Sequence, residues 1–175
     1  MLVAAIGDAP NIRLEQRKLS DDERLDLIAS ADALLSLHRS EGFGLVMAEA
    51  MAAGVAVVAT NWSGNLDFMD ETTALLVPFG MIAVADCKGV YDGREQWADP
   101  DVAAAAEHLQ ALAAHPARYE GMRRAARAMV EERLGLDGFR EAVLGPLGPP
   151  RRRAASGITA RLPARAADFA QDGVA

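Results

Sequence analysis

The 175-residue chain predicts an α/β fold with a mostly parallel sheet. Short apolar runs alternate with stretches of helical period, which is the pattern of strand-helix-strand units. One run, VAVVA at 55–59, is apolar at every position. A strand reads that way when helices cover both of its faces. A third sign is explicit helix punctuation, beginning with the capping box Ser20-Asp21-Asp22-Glu23.

Taken in order, residues 2–6 (LVAAI) form a short apolar run that ends at Gly7-Asp8, read as a strand and its turn. Residues 11–14 are a candidate for a second short strand. The Ser20 box opens a helix to about residue 31, with Leu25 and Ile28 on one face. Residues 33–37 (ALLSL) are a buried strand. A turn at 41–44 leads into a helix that ends near residue 53, and Gly54 supplies its left-handed cap. The strand at 55–59 is followed by a polar turn at 61–65 and a strand at 75–77 that Pro78 closes. Residues 79–97 read as a long, weakly periodic connection, of the kind that is commonly functional or mobile. Asp99-Pro100 reads as a cap with proline at the first helical position, opening a helix to about residue 114. Pro116 starts another, to about residue 133. The division is residues 1–145 as one domain and 146–175 as a disordered basic Pro/Ala/Arg-rich tail.

Composition narrows the function classes. Hydrophobic residues make up 51%, enough for a core, yet no run approaches the roughly 18 apolar residues of a membrane span. The N-terminus has no basic region of a signal peptide. A lone Cys87 excludes an internal disulfide and a cysteine-based zinc site, so a reducing, cytoplasmic compartment is expected. Three scattered histidines, His38, His108 and His115, show no metal-ligand spacing; the expectation is a metal-independent protein. The tail from Pro146 holds five arginines against two aspartates, +3 of a net −7, which leaves the body at −10. Such a body argues against nucleic acid as the main partner. The basic tail allows a weak peripheral contact with an anionic membrane face.

The chemistry-bearing stretch is Arg39-Ser40-Glu41-Gly42-Phe43-Gly44-Leu45-Val46-Met47-Ala48-Glu49. Glu41 falls in a turn at the carboxyl end of the 33–37 strand, and the 61–65 turn falls on the same sheet edge. Ligands of open α/β sheets bind at that edge. The helix after Gly44 presents backbone N–H groups suited to an anion, and two carboxylates eight residues apart can accept from hydroxyls. A nucleotide sugar has phosphates and hydroxyls in that relation. Glu49 lies among Val46, Met47, Ala48, Ala50 and Met51, so it is expected to be buried and to need partners. Gly42-Phe43-Gly44 is not a dinucleotide fingerprint: Met47 occupies the third glycine position, and the next strand ends Val58-Ala59-Thr60 without the ribose-binding acid. His38, Arg39, Asn61, Ser63 and Asn65 share the edge and are candidates for donor or acceptor contacts. Each also has an ordinary structural role: a backbone bond for His38, a salt bridge for Arg39, turn chemistry for the others.

The segment SLHRSEGFGLVMAEAMAAGVAVVAT resembles the E-x7-E region of the family 4 retaining glycosyltransferases, which have the GT-B fold. The flanking NIRLEQRKLSDDERLDLIASADALLSL, NWSGNLDFMDETTALLVPF and Gln96-Trp97-Ala98-Asp99-Pro100-Asp101 are similar to the same family, so the resemblance extends from Ile6 to about Glu132. It implies a Rossmann-like parallel sheet flanked by helices, the C-terminal, donor-binding half of a GT-B fold. It implies that Glu41 is the catalytic-centre acid beside the transferred sugar. It further implies that Gly42, Phe43, Gly44, Leu45 and Val46 contact sugar and diphosphate through backbone N–H groups. Glu49 is then the acid that holds the ribose hydroxyls. The implied donor is a UDP- or GDP-sugar, no metal being required. The implied reaction is retaining transfer of a hexose, such as mannose or glucose, to a glycan or glycolipid acceptor in polysaccharide biosynthesis, at the inner face of the membrane.

The family's acceptor-binding domain and an upstream Arg/Lys pair on the diphosphate have no counterpart in this sequence, and Arg13, Arg17 and Lys18 come too late to replace that pair. The expectation is an N-terminally truncated fragment with little transfer activity alone. The alternative is a non-catalytic nucleotide-sugar-binding module or a structural remnant.

Overall fold

The burial of β2 (Ala56–Thr60) at all five positions sets the architecture. In the computed structural model, which describes residues 2–136 except 8, 85–88, 90, 92 and 93, β2 is the centre of a parallel three-stranded sheet. On one side it pairs with β1 (Ala33–Ser36), Ala33 opposite Ala56; on the other with β3 (Leu75–Val77), Leu75 opposite Val58. Successive side chains of β2 point to opposite faces. Val57 and Ala59 enter a core with Met47, Ala50 and Met51 of α3 (Leu45–Ala52) and Ala126 and Val130 of α5 (Glu120–Leu134). Ala56 and Val58 enter a second core with Val77 and with Ala105 and Leu112 of α4 (Val102–Ala114). The chain is therefore α/β and Rossmann-like, with helices covering both faces of the sheet.

The helices begin as their caps dictate. In α2 (Asp21–Ala29) the capping box is complete: Ser20 Oγ accepts from the Glu23 amide, and Glu23 Oε2 accepts from the Ser20 amide at 2.9 Å. Gly54, at φ +75°, follows α3 as expected. A 3-10 turn (Pro116–Tyr119) leads into α5.

The structure corrects four expectations. Residues 2–6 form a one-turn helix, α1 (Leu2–Ile6), and not a strand. A short apolar run does not distinguish the two by pattern. Here Ala4 and Ala5 are exposed and, among the described residues, no strand pairs with the run, so the helix preference of alanine and leucine prevails. Residues 11–14 are irregular, with Ile12 about half exposed. The 79–97 connection contains β4 (Phe79–Ala83), which pairs antiparallel with β5 (Gln96–Pro100). This ladder is solvated along much of its length, so its strands lack the continuous apolar character of β2. Asp99 and Pro100 belong to β5, and the cap of α4 is Asp101 instead. Its carboxylate accepts from the amides of Ala103 (2.9 Å) and Ala104 (3.0 Å), while its own amide donates to Pro78 O at 2.8 Å. That last bond anchors the helix start to the end of β3, two residues later than the proline suggested. The tail at 146–175 and Cys87 lie outside the described residues, and so does the end of the 1–145 domain. Among the described residues, no helix is long and apolar enough to cross a membrane.

Asp101→Ala leaves two amides of α4 without their acceptor, and is expected to cost about 1 kcal/mol in chemical denaturation. A second expectation concerns acid. The Thr72 hydroxyl and amide, bonded to Asp70 Oδ1 at 2.6 and 2.8 Å, hold the Asp70 carboxyl below its usual range. A carboxyl whose folded pKa is lowered contributes stability that is full above the unfolded pKa and lost as pH falls through the folded one. Asp70→Asn should therefore flatten the loss of thermal stability as pH falls below about 5, compared with the parent chain.

Candidate functional site

Because β1 and β2 are adjacent and parallel, their exit loops leave the sheet side by side. Ser63 Oγ donates to Glu41 O at 2.6 Å and accepts from the Glu41 amide at 3.2 Å, and the Gly64 amide donates to the same Glu41 carbonyl at 3.1 Å. Ser63 makes these contacts at φ +82° and ψ −158°, a region that glycine alone ordinarily occupies. Such a conformation costs on the order of 1–3 kcal/mol and persists where surrounding bonds over-determine it, as the three bonds to Glu41 do here. Gly64 allows the approach. A Cβ on it would lie 2.2 Å from Gly42 O and 2.6 Å from Gly42 C, both backbone atoms. Gly44, at φ +97°, is the residue before α3; the helix has no side-chain cap, so its first amides keep their hydrogens for another acceptor.

The turn opens onto a cavity of about 390 Å³ lined by Glu41, Phe43 and the first turn of α3, with residues 34–36 of β1 as the other wall. Leu45 and Val46 are 66% and 47% exposed, which leaves that end of α3 open to solvent. Phe43 is fixed against Phe68, ring centroids 5.2 Å apart, and Glu41 Oε1 accepts from the Phe43 amide at 3.4 Å. The cavity thus combines a carboxylate with a helix start whose partial positive charge suits an anion.

Glu49 stands one turn further along α3, on the side facing α2. It is half-buried and paired with Arg24, and Arg24 also lies 3.5 Å from Asp21. The bond to Glu49 raises the Arg24 pKa above its already high ordinary value, against the opposing effect of desolvation. The partner expected for Glu49 is present, while its burial is only partial, the side chain keeping 27% exposure. The partner itself was not legible: Arg24 is 25 residues upstream, and no local spacing links the two.

The remaining sequence-predicted residues divide between bracing and exposure. His38 Nε2 lies 2.9 Å from Trp62 O, which can only accept, so this nitrogen donates, and Nδ1 lies 3.0 Å from the Ser36 hydroxyl. Asn65 is fully buried; its Oδ1 meets His38 Nε2 at 3.1 Å and its Nδ2 donates to Thr60 O at 3.2 Å. These two side chains hold the loops together from inside. Arg39 pairs with Asp99 at 2.9 Å and sits over the Trp97 ring at 5.3 Å, and its carbonyl accepts from the Ala98 amide at 2.9 Å. Arg39 therefore ties the β1 exit loop to β5. Trp62, its ring tilted 52° against Phe79 with centroids 5.2 Å apart, ties the other loop to β4. Sequence reasoning gives Arg39 a salt bridge as its structural role but not the partner, because Asp99 reads as a helix cap; it misses the Trp62 tie because 79–97 reads as a connection. Asn61 is exposed and lines a separate cavity of about 360 Å³ with Glu71 and His108; His115 is exposed at the end of α4.

With this geometry in place, comparison with known proteins decides the family. The model of the group 1 glycosyl transferases matches residues 3–115. The chain belongs to that family. The chain is also similar to N-acetyl-alpha-D-glucosaminyl L-malate synthase of Bacillus anthracis, 36% identical over 72 residues that cover 34% of this chain and 19% of that protein. The chain thus spans about a fifth of the length of the curated relative. The region matched by the family model includes every sequence-predicted site residue, from His38 to Asn65.

Gly64→Ala must displace the Gly42 peptide, and is expected to destabilise by about 1–3 kcal/mol in urea unfolding. Gly42→Ala meets nothing within 4 Å and should stay within about 0.5 kcal/mol of the parent. Equal stability of the two variants would contradict the close approach.

Proposed function

We propose that this chain is the donor-binding half of a retaining, GT-B-type glycosyltransferase, and that the cavity beside Glu41 and the start of α3 receives a nucleotide-diphosphate sugar. The observation that carries the reading is the juxtaposition of an uncapped helix start with carboxylates at Glu41 and Glu49. Oriented amides suit a diphosphate, and carboxylates accept from hydroxyls. The amides of residues 42–46 face the diphosphate, Glu41 accepts from hydroxyls of the transferred hexose, and Glu49 accepts from the ribose. Family membership supports sugar transfer as the chemistry. The donor in this reading is a UDP- or GDP-sugar bound without a metal. The acceptor is a glycan or glycolipid met at the cytoplasmic face of a membrane, as in polysaccharide assembly.

Chemically, these acids are binding groups. The carboxylate-pair geometry of glycosidases does not apply, because here one acid addresses the sugar and the other the ribose. Glu41 acts at the reacting end, where a hydroxyl bond that tightens as the glycosidic bond to the diphosphate breaks would favour the transition state.

Isothermal titration calorimetry with UDP- and GDP-sugars tests the proposal. At least one should bind, and Glu49→Ala should weaken it about tenfold or more, the loss expected for hydrogen bonds to a charged group. If no nucleoside diphosphate or its sugar binds the parent chain, the donor-site reading is wrong, and a structural remnant of the fold is the better description.

A further inference from the structure

Arg24 lies in the middle of α2, whose start the Ser20–Glu23 box fixes in place. Its side chain is about one-third exposed, and it spans the α2–α3 groove to reach Glu49 Oε2. Asp21, one turn back on α2, holds the same guanidinium from the solvent side at 3.5 Å. Interhelix ion pairs are common as simple ties. This one differs because its acid is the carboxylate assigned above to the ribose. A donor brings a diphosphate, about two negative charges at neutral pH, towards a turn that already bears Glu41 and Glu49. Arg39, on the neighbouring exit loop, is paired with Asp99.

We infer that Arg24 is a positioning residue of the donor site: it turns Glu49 Oε2 towards α2, leaves Oε1 for a ribose hydroxyl, and offsets the Glu49 charge beside the incoming diphosphate. The assignment rests on the donor-site reading of Glu49. It does not follow from that reading, because a ribose-binding acid needs no arginine. Two consequences separate it from a plain tie between helices. The effect of removing Arg24 depends on Glu49 being charged, and it grows with the phosphate charge of the ligand.

The experiment is a double-mutant cycle by calorimetry on the full chain, with R24M, R24K, E49Q and R24M/E49Q, and with UDP, UMP and uridine (or the guanosine series if GDP is preferred) as probes. R24M should weaken the nucleoside diphosphate about tenfold and the nucleoside about threefold or less. In the E49Q background the same change should cost about twofold or less, and R24K should restore most of the affinity. Circular dichroism and thermal melts establish that each variant is folded; if R24M is not, R24Q runs the same cycle. Binding by R24M within about twofold of the parent, alongside a weakened E49Q, overturns the role of Arg24 alone. Equal losses in both backgrounds, or equal losses for all three probes, also overturn it by pointing to a structural tie. Failure of the parent chain to bind any of the probes removes the donor site and this assignment together.

Discussion

The constraint on which this structure depends is the double-sided burial of β2. A strand with no solvent face demands helices above and below, and the alternation of its side chains assigns them: Val57 and Ala59 to α3 and α5, Ala56 and Val58 to α4. Crossover helices of that kind make the neighbouring strands parallel, so β1 and β2 finish at the same edge. The meeting of the Glu41 and Ser63 loops follows from that topology. The hydrogen bonds between them refine a juxtaposition that hydrophobic burial had already imposed.

Much of this was legible in the sequence because the signals were local. The apolar run of β2, the capping box before α2, the glycine after α3 and the polar turn after β2 each act within a few residues, and each stands where it was expected. The expectations that failed depended on partners distant in sequence. Residues 79–83 are a strand because residues 96–100 lie beside them, and neither segment has a core-facing pattern strong enough to show it alone. Residues 2–6 form a helix, and among the described residues no strand pairs with them. Asp101 caps α4 because Pro78 O receives its amide, a choice between two aspartates that sequence spacing does not make.

The candidate site divides along the same line. Its turn and its helix start were readable from glycines and acids at short range. The network around them was not. His38 and Asn65, chosen as polar residues at the right edge, turn inward and join the two loops, while Arg39 and Trp62 fasten those loops to the β4–β5 ladder. Arg24, on a helix that carried no functional signal, proves to be the partner of Glu49. Residues chosen for their chemistry thus hold the scaffold, and a residue chosen for none touches the acid. Family membership sharpens the reading of the turn itself, since the matched region contains both acids.

The contact between Gly42 and Gly64 has a consequence for redesign. Two peptide backbones that close leave no room for either loop to be reshaped by itself, so the pair behaves as one keyed part. A combinatorial library that varies Gly64 would spend most of its members on chains whose loops no longer fit together, whereas a side chain at Gly42 meets nothing. Diversity placed instead on the open wall of the cavity, at Leu35, Leu45 and Val46, alters what the site can accept while the keyed backbone stays as it is. New ligand preferences on this scaffold are more accessible by changing that wall than by changing the loops that first draw attention to it.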